Sequence, residues 1–423
     1  MIALLAVTLT VSAAAATPPV LTLDQALEAA RQNNLDLKVA RARLQQAQLL
    51  SRRAWAAYLP TVSVGGSYTR NSDEAVVALP GGPEIVIQPY NQFGAQAEVR
   101  QALLAPALIP AIRNAGIAED VAELNTENAR REILFAVAQS YFGAASYQEA
   151  IRAAQFLLEV NTAREADTQR RFDAGTVTRV ALLRAKLDRA RAEQDLVRAR
   201  NAFASSRLGL ATLIQRDAEF SLELPPVPEV PPAEEDLTQK ALEQRPDVAA
   251  ARRNLDLALG RRQGVWYSYA PSVGFTGVYR LSNAGGFTGQ NDSWALTVGA
   301  QWTLWDGGTR EINLREESAR VAEASAQQKQ AESRVTEEVA RARLEVENAR
   351  ANLSKAEEAL SLARETQRLT EISFKAGVAT YLEVADANAA LTNAEVGAIS
   401  ERLQTSLAAL RLLRAAGLFM AQQ

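Results

Sequence analysis

The sequence predicts an α+β membrane protein: a tandem-repeat protomer that contributes to a trimeric 12-stranded β-barrel continued by a 12-helix α-helical barrel. Three observations point there. Sequence echoes recur in the same order in both halves of the chain, long proline-free stretches carry a coiled-coil period, and four strand segments alternate apolar and polar residues at membrane-crossing length.

The echoes come first. Leu23-Asp24-Gln25-Ala26-Leu27-Glu28 returns as Leu237-Thr238-Gln239-Lys240-Ala241-Leu242-Glu243, and Tyr58-Leu59-Pro60 returns as Tyr269-Ala270-Pro271. Phe172-Asp173-Ala174-Gly175 returns as Phe374-Lys375-Ala376-Gly377. The reading is duplication of a unit of roughly 200 residues. Its segments are a signal peptide at 1–16, a first structural repeat at 17–224, a linker at 225–236 and a second structural repeat at 237–423. Residues 2–16 are almost all small or apolar and end in an A-x-A site before Thr17, as a secretory leader does. The linker carries Pro225, Pro226, Pro228, Pro231 and Pro232, which forbid a helix and favour extended chain.

The helices follow. From Val335 the apolar or small residues fall at 339, 342, 346, 349, 353, 356, 360 and 363. Alternating steps of four and three make a heptad seam, and alanine at 342, 349, 356 and 363 lets helices approach closely. The proline-free run from 309 to 374 has a counterpart from about 112 to 172, with shorter returning helices at about 178–215 and 380–416.

The strands differ sharply. Val62, Val64, Gly66 and Tyr68 form one apolar row, and Phe93, Ala95, Ala97 and Val99 a second. Val273, Phe275, Gly277, Tyr279 and Leu281 form a third, and Trp294, Leu296, Val298, Ala300, Trp302 and Leu304 a fourth. Each is about ten residues long, enough to cross a bilayer when tilted. Loops at 79–89 and 283–292 join them in pairs.

Four strands cannot close a barrel, and lipid does not tolerate an open sheet edge. Two copies would give eight strands, which side chains fill; three give twelve and leave a lumen. Twelve strands running on into twelve helices make a tube.

Composition narrows the chemistry. The chain has 423 residues, a net charge of −3 and neither cysteine nor histidine. Disulfides, thiol nucleophiles and histidine acid–base pairs are excluded, and the mixed charges provide no field for nucleic acid. No cofactor or metal is expected, and no enzyme: an acidic-pair glycosidase would need a cleft-forming pattern that the sequence lacks. The alternative reading is a periplasmic coiled-coil structural or adaptor-type protein, which would share the helices but not the strands.

The doubled Leu-x-x-Ala-Leu opening, Tyr-Leu-Pro, Leu304-Trp305-Asp306-Gly307-Gly308 and Phe-x-Ala-Gly resemble the TolC family of outer-membrane efflux proteins over about residues 20–417. The first half departs from it with Ala105-Pro106 where the second has Trp305-Asp306. The resemblance implies a homotrimer in the outer membrane that extends into the periplasm. Its partners would be outer-membrane lipid, a periplasmic adaptor and an inner-membrane transporter of a tripartite efflux or type I secretion system. The exported substrate is not encoded in such a duct.

Three sets of residues are candidates. Ala174, Gly175, Thr176 and Thr178, with Ala376, Gly377, Val378 and Thr380, form helix-to-helix turns; the plain reading is an αα-hairpin, and the resemblance makes them tips that meet the adaptor. Glu383 and Asp386 lie three apart in the last helix. They read either as a helix N-terminus that favours acid, or, by resemblance, as a pore constriction of six carboxylates. Their first-half equivalents are Ala181 and Arg184. Tyr68, Tyr279, Trp294 and Trp302 read as a membrane aromatic belt, against the plain reading of a soluble core.

Overall fold

The computed structural model describes residues 19–78, 81, 84–232, 236–285 and 290–420. The signal peptide read at 1–16 lies outside them, as do parts of the two strand-joining loops and residues 233–235 of the linker. The elements run β1 (Val20–Leu21), α1 (Leu23–Asn33), α2 (Leu35–Ala56), β2 (Thr61–Arg70), β3 (Ala75–Ala78), β4 (Glu84–Gln88) and β5 (Asn91–Leu104). They continue with α3 (Leu108–Asp173), α4 (Arg179–Ile214), β6 (Ser221–Leu222), α5 (Leu237–Gln244), α6 (Pro246–Tyr267), β7 (Ser272–Ser282), β8 (Asp292–Gln301), α7 (Thr309–Lys375) and α8 (Tyr381–Ala415). Two compact units result, one of Met1–Val39, Asn128–Arg245 and Arg334–Gln423, the other of Ala40–Glu127 and Pro246–Ser333. Each unit draws on both sequence halves.

The second unit is built on one antiparallel sheet of order β2-β5-β7-β8. Its register decides its chemistry. Val62 pairs with Val99, Val64 with Ala97 and Tyr68 with Phe93; Ala97 pairs with Tyr279 and Ala95 with Leu281; Gly277 pairs with Leu296, Phe275 with Val298 and Tyr279 with Trp294. Residues opposite one another in an antiparallel pair share a face. All four apolar rows therefore fall on one side, and Ser63, Ser67, Gln96, Glu98, Thr276, Arg280 and Thr297 on the other. A slip of one residue in any strand would break this.

Several boundaries differ from the sequence reading. β5 is 14 residues, not ten. β8 ends at Gln301, so Trp302 and Leu304 lie beyond the strand that their alternation extends. The loop read at 79–89 holds part of a hairpin, since Glu84–Gln88 pairs with Ala75–Ala78. There the β-branched run Ile85-Val86-Ile87 outweighs the prolines around it. α3 begins at Leu108, four residues before its expected start, because Pro110 sits in the first turn, where no backbone N–H is needed. No helix among the described residues is long and apolar enough to cross a membrane.

In the first unit the core gathers Leu21, Leu134, Val137, Tyr141, Phe142, Leu210, Ile214 and Leu410, among others. The two-residue strands β1 and β6 pair in parallel there. The Tyr141 hydroxyl lies 2.8 Å from the carbonyl oxygens of both Leu21 and Glu223, sharing one proton between them. Burial pushes its pKa up to about 12. The Gln148 amide donates to the Leu222 carbonyl at 2.7 Å and accepts from the Leu222 N–H at 2.8 Å, completing the short sheet.

The heptad seam is real. Val335, Val339, Ala342, Val346 and Ala349 are buried, and 353, 356, 360 and 363 are half-buried. The small Ala349 side chain lets α8 come close enough for the Thr405 hydroxyl to share its proton between the Glu401 carbonyl at 2.8 Å and the Ala349 carbonyl at 3.1 Å.

Candidate functional site

Two features of the molecule can act on something outside the chain, the apolar sheet face and the turns that close the long helices, and a joint at one end of the sheet holds its strands to the helix that follows.

On the sheet face Val64 is 80% exposed, Trp294 71% and Leu296 66%. Water would not leave so continuous an apolar surface uncovered, whereas hydrocarbon covers it at no cost. Tyr68 stacks on Phe93 with ring centroids 5.1 Å apart, and Trp294 stands opposite Tyr279. These aromatics gather toward the loop ends of their strands. Trp302 belongs to the other end, where its indole N–H donates to the Tyr269 carbonyl at 3.0 Å. Phe93, which the sequence places in an apolar row but not among the belt candidates, joins these aromatics. β2 and β8 are the outer strands of the sheet.

The joint between β8 and α7 turns on Arg310, which is only 8% exposed. Its Nε donates to Asp306 at 3.1 Å, its two terminal nitrogens reach the Thr303 carbonyl at 2.8 Å and the Ser268 carbonyl at 3.5 Å. Its guanidinium lies 4.4 Å from the centroid of the Tyr269 ring. One side chain thereby ties the end of β8 to the entry of β7. The first half solves the same problem differently, with the Tyr58 hydroxyl donating to the Ala105 carbonyl at 3.1 Å.

The helix turns are built alike. Gly175 has φ +70 and Gly377 φ +78, conformations that side-chain-bearing residues rarely adopt. The Thr176 N–H donates to the Arg171 carbonyl and the Val378 N–H to the Ser373 carbonyl, both at 2.9 Å, as helix-terminating turns do. Thr178 then caps α4 and Thr380 caps α8. Ala174, Gly175, Thr176, Thr178, Ala376, Gly377, Val378 and Thr380 are all exposed, and Val378 is 82% so. The ends of the two hairpins meet where the Arg171 guanidinium stacks 5.2 Å from the Phe374 ring. They meet again where the Tyr381 hydroxyl donates to Asp188 at 3.1 Å. Burial first, then the Asp188 carboxylate, pushes the Tyr381 pKa up to about 12. Neither link is visible in the sequence, which carries no period relating these positions.

Glu383 and Asp386 sit on exposed positions of the first turns of α8. Glu383 has a bonded role already: its carboxylate accepts from the Thr380 N–H at 2.6 Å and from the Thr380 hydroxyl at 2.9 Å, in a capping box. These bonds hold its pKa below the ordinary glutamate value. The capping reading is therefore satisfied for Glu383, and it leaves the charge in place. Among the described residues no group of three or more Asp or Glu side chains is placed to hold a metal ion.

A model of the outer membrane efflux protein family matches the chain over residues 26–215 and again over 237–418. No curated protein sequence matches at a significant level. Among solved structures, CusC superposes with a TM-score of 0.80 at 18% identity, over 93% of this chain and 91% of its own. The outer membrane protein VceC of Vibrio cholerae gives 0.76 at 22%, over 93% and 96%. The CmeC outer membrane channel of Campylobacter jejuni gives 0.78 at 17%, over 95% and 87%. At these identities the likeness establishes the fold.

Proposed function

Because the chain belongs to the outer membrane efflux protein family, an outer-membrane channel and not an enzyme, we propose that it is the exit duct of a tripartite efflux or type I secretion assembly. Three copies would close a 12-stranded barrel in the outer membrane, and the long helices would line a tunnel into the periplasm. A periplasmic adaptor would join it to an inner-membrane transporter. The observation that carries this reading is the register, which collects every apolar row on one sheet face and leaves two edges to be paired. A periplasmic coiled-coil protein would have no use for such a face. We read 17–224 and 237–423 as two duplicated repeats about the 225–236 linker, which accords with the doubled family match. In the same reading Tyr68, Tyr279, Trp294 and Trp302 are the membrane aromatic belt.

Glu383 and Asp386 would form the pore constriction, six carboxylates around one axis. Purified protein, running as a trimer in detergent, is expected to conduct cations in preference to anions across a planar bilayer, with block by multivalent cations from the helical side. Glu383→Gln keeps the capping box and removes the charge, so it separates the two roles. The double change Glu383→Gln, Asp386→Asn should relieve the block and weaken selectivity by several-fold. Block unchanged in that double variant would leave Glu383 as a cap alone. The cap has its own pH signature. Its pKa is lowered on folding, so its contribution is present above the ordinary glutamate value and is lost as pH falls through the lowered one.

Gly175 and Gly377 would sit at the adaptor-facing tips. A Cβ at either would meet no atom within 4 Å, so any penalty is conformational and not steric. Gly377→Val should cost about 1–2 kcal/mol locally and abolish export while the trimer still assembles. Gly377→Asn, which tolerates positive φ, should export nearly normally. Normal export by both Gly175→Val and Gly377→Val would remove the tips from the docking surface.

A further inference from the structure

A cavity of about 680 Å³ lies within the first compact unit, between the last turns of α3, the last turns of α7 and the start of α8. Its charged side chains almost cancel. Arg171 pairs with Asp167 at 2.8 Å, Lys375 with Glu371 at 3.1 Å and Arg364 with Glu395 at 3.5 Å. Arg164 is the remaining charge on the wall. It is half-buried, and no ion pair to it within 4 Å is found among the described residues. Burial pulls its pKa below the ordinary arginine value, against the more distant pull of Tyr381, Glu371 and Asp188. A second donor is idle on the same wall. Asn388 is only 7% exposed, and its Nδ2 has no hydrogen-bond partner. An unmet buried donor is costly, and a guanidinium without an ion pair on the same cavity adds a second demand for an acceptor. Thr168, Gln367, Tyr381 and Thr392 add polar groups to the wall, and Phe156, Leu157, Val160 and Leu391 give it an apolar stretch.

One surplus cation on the same wall as an idle amide selects a monoanion, and the planar guanidinium fork matches a carboxylate in two parallel bonds. The apolar stretch of the wall selects a hydrocarbon tail over a bare inorganic ion. We propose that this cavity binds a small organic monocarboxylate, its head on Arg164 and Asn388 and its tail against Phe156, Leu157, Val160 and Leu391. The site is made within one chain and needs neither a pump nor an adaptor.

The test uses the full-length protein in nanodiscs, titrated calorimetrically with sodium hexanoate and with uncharged hexanamide. Hexanoate should bind saturably, once per chain, and octanoate more tightly by roughly threefold to fourfold per added methylene. Hexanamide should bind at least about tenfold more weakly. Arg164→Gln should weaken hexanoate by about tenfold or more, Asn388→Leu by a smaller factor, and Arg152→Gln, on a different cavity, not at all. If Arg164→Gln fails to assemble, Arg164→Lys keeps the charge without the fork and should give intermediate affinity. Hexanamide binding as tightly as hexanoate, affinity indifferent to Arg164, or no saturable hexanoate binding to about 10 mM would each overturn the assignment.

Discussion

Arg310→Met is expected to lower folding stability by about 3–5 kcal/mol, the cost of leaving one partner of a buried ion pair behind. Asp306 would lose its counter-charge, and the Thr303 and Ser268 carbonyls would lose their donors. Arg310→Lys should recover only part of the loss. A single ammonium cannot reach Asp306 and both carbonyls at once, and it stacks less well on Tyr269. Tyr269→Leu removes the stacking together with the hydroxyl's bond to Glu311 at 3.0 Å and should cost about 0.5–2 kcal/mol. Urea titration of detergent-folded protein reads all three. An Arg310→Met variant within about 1 kcal/mol of the parent would show that the strand-to-helix joint is held elsewhere.

Leu296→Arg is expected to be nearly as damaging, and for a reason that only a membrane supplies. Leu296 stands mid-strand in the apolar row, 66% exposed. In water an arginine there would be harmless or helpful. In hydrocarbon it should cost about 2–4 kcal/mol, while Thr297→Arg, one residue on and facing the other way, should cost about 0–1 kcal/mol. Refolding into liposomes measures the difference. Equal costs at the two positions would mean that the faces do not see different solvents.

The parts of the fold legible in sequence were those with a period. Alternation marked four strands, and their pairing then placed the four rows on one face; the three-four rhythm from 335 to 363 marked the seam that α7 buries. What escaped had no period to show. β1 and β6 are two residues each and exist because Tyr141 and Gln148 reach their backbone from a distant helix. The β3–β4 hairpin hid behind Pro80, Pro83 and Pro89. Arg310 gathers partners at 268, 269, 303 and 306 that only the folded joint brings together. The candidate sites divide the same way. Thr380-x-x-Glu383 is a local capping signature and is found as one. The Tyr381–Asp188 link and the Arg164 cavity depend on packing between helices far apart in sequence.

The central claim is that the two faces of this sheet meet lipid and water, and the absence of cysteine makes it directly testable, since any cysteine introduced is the only thiol in the chain. Single cysteines along β8 from 293 to 300, probed in intact outer membranes with a membrane-impermeant maleimide, should report a strict alternation. Positions 293, 295, 297 and 299 should label, and 294, 296, 298 and 300 should resist labelling while remaining open to a lipid-soluble quencher when carrying a fluorophore. Uniform labelling of both rows, or the opposite phase, would contradict the account.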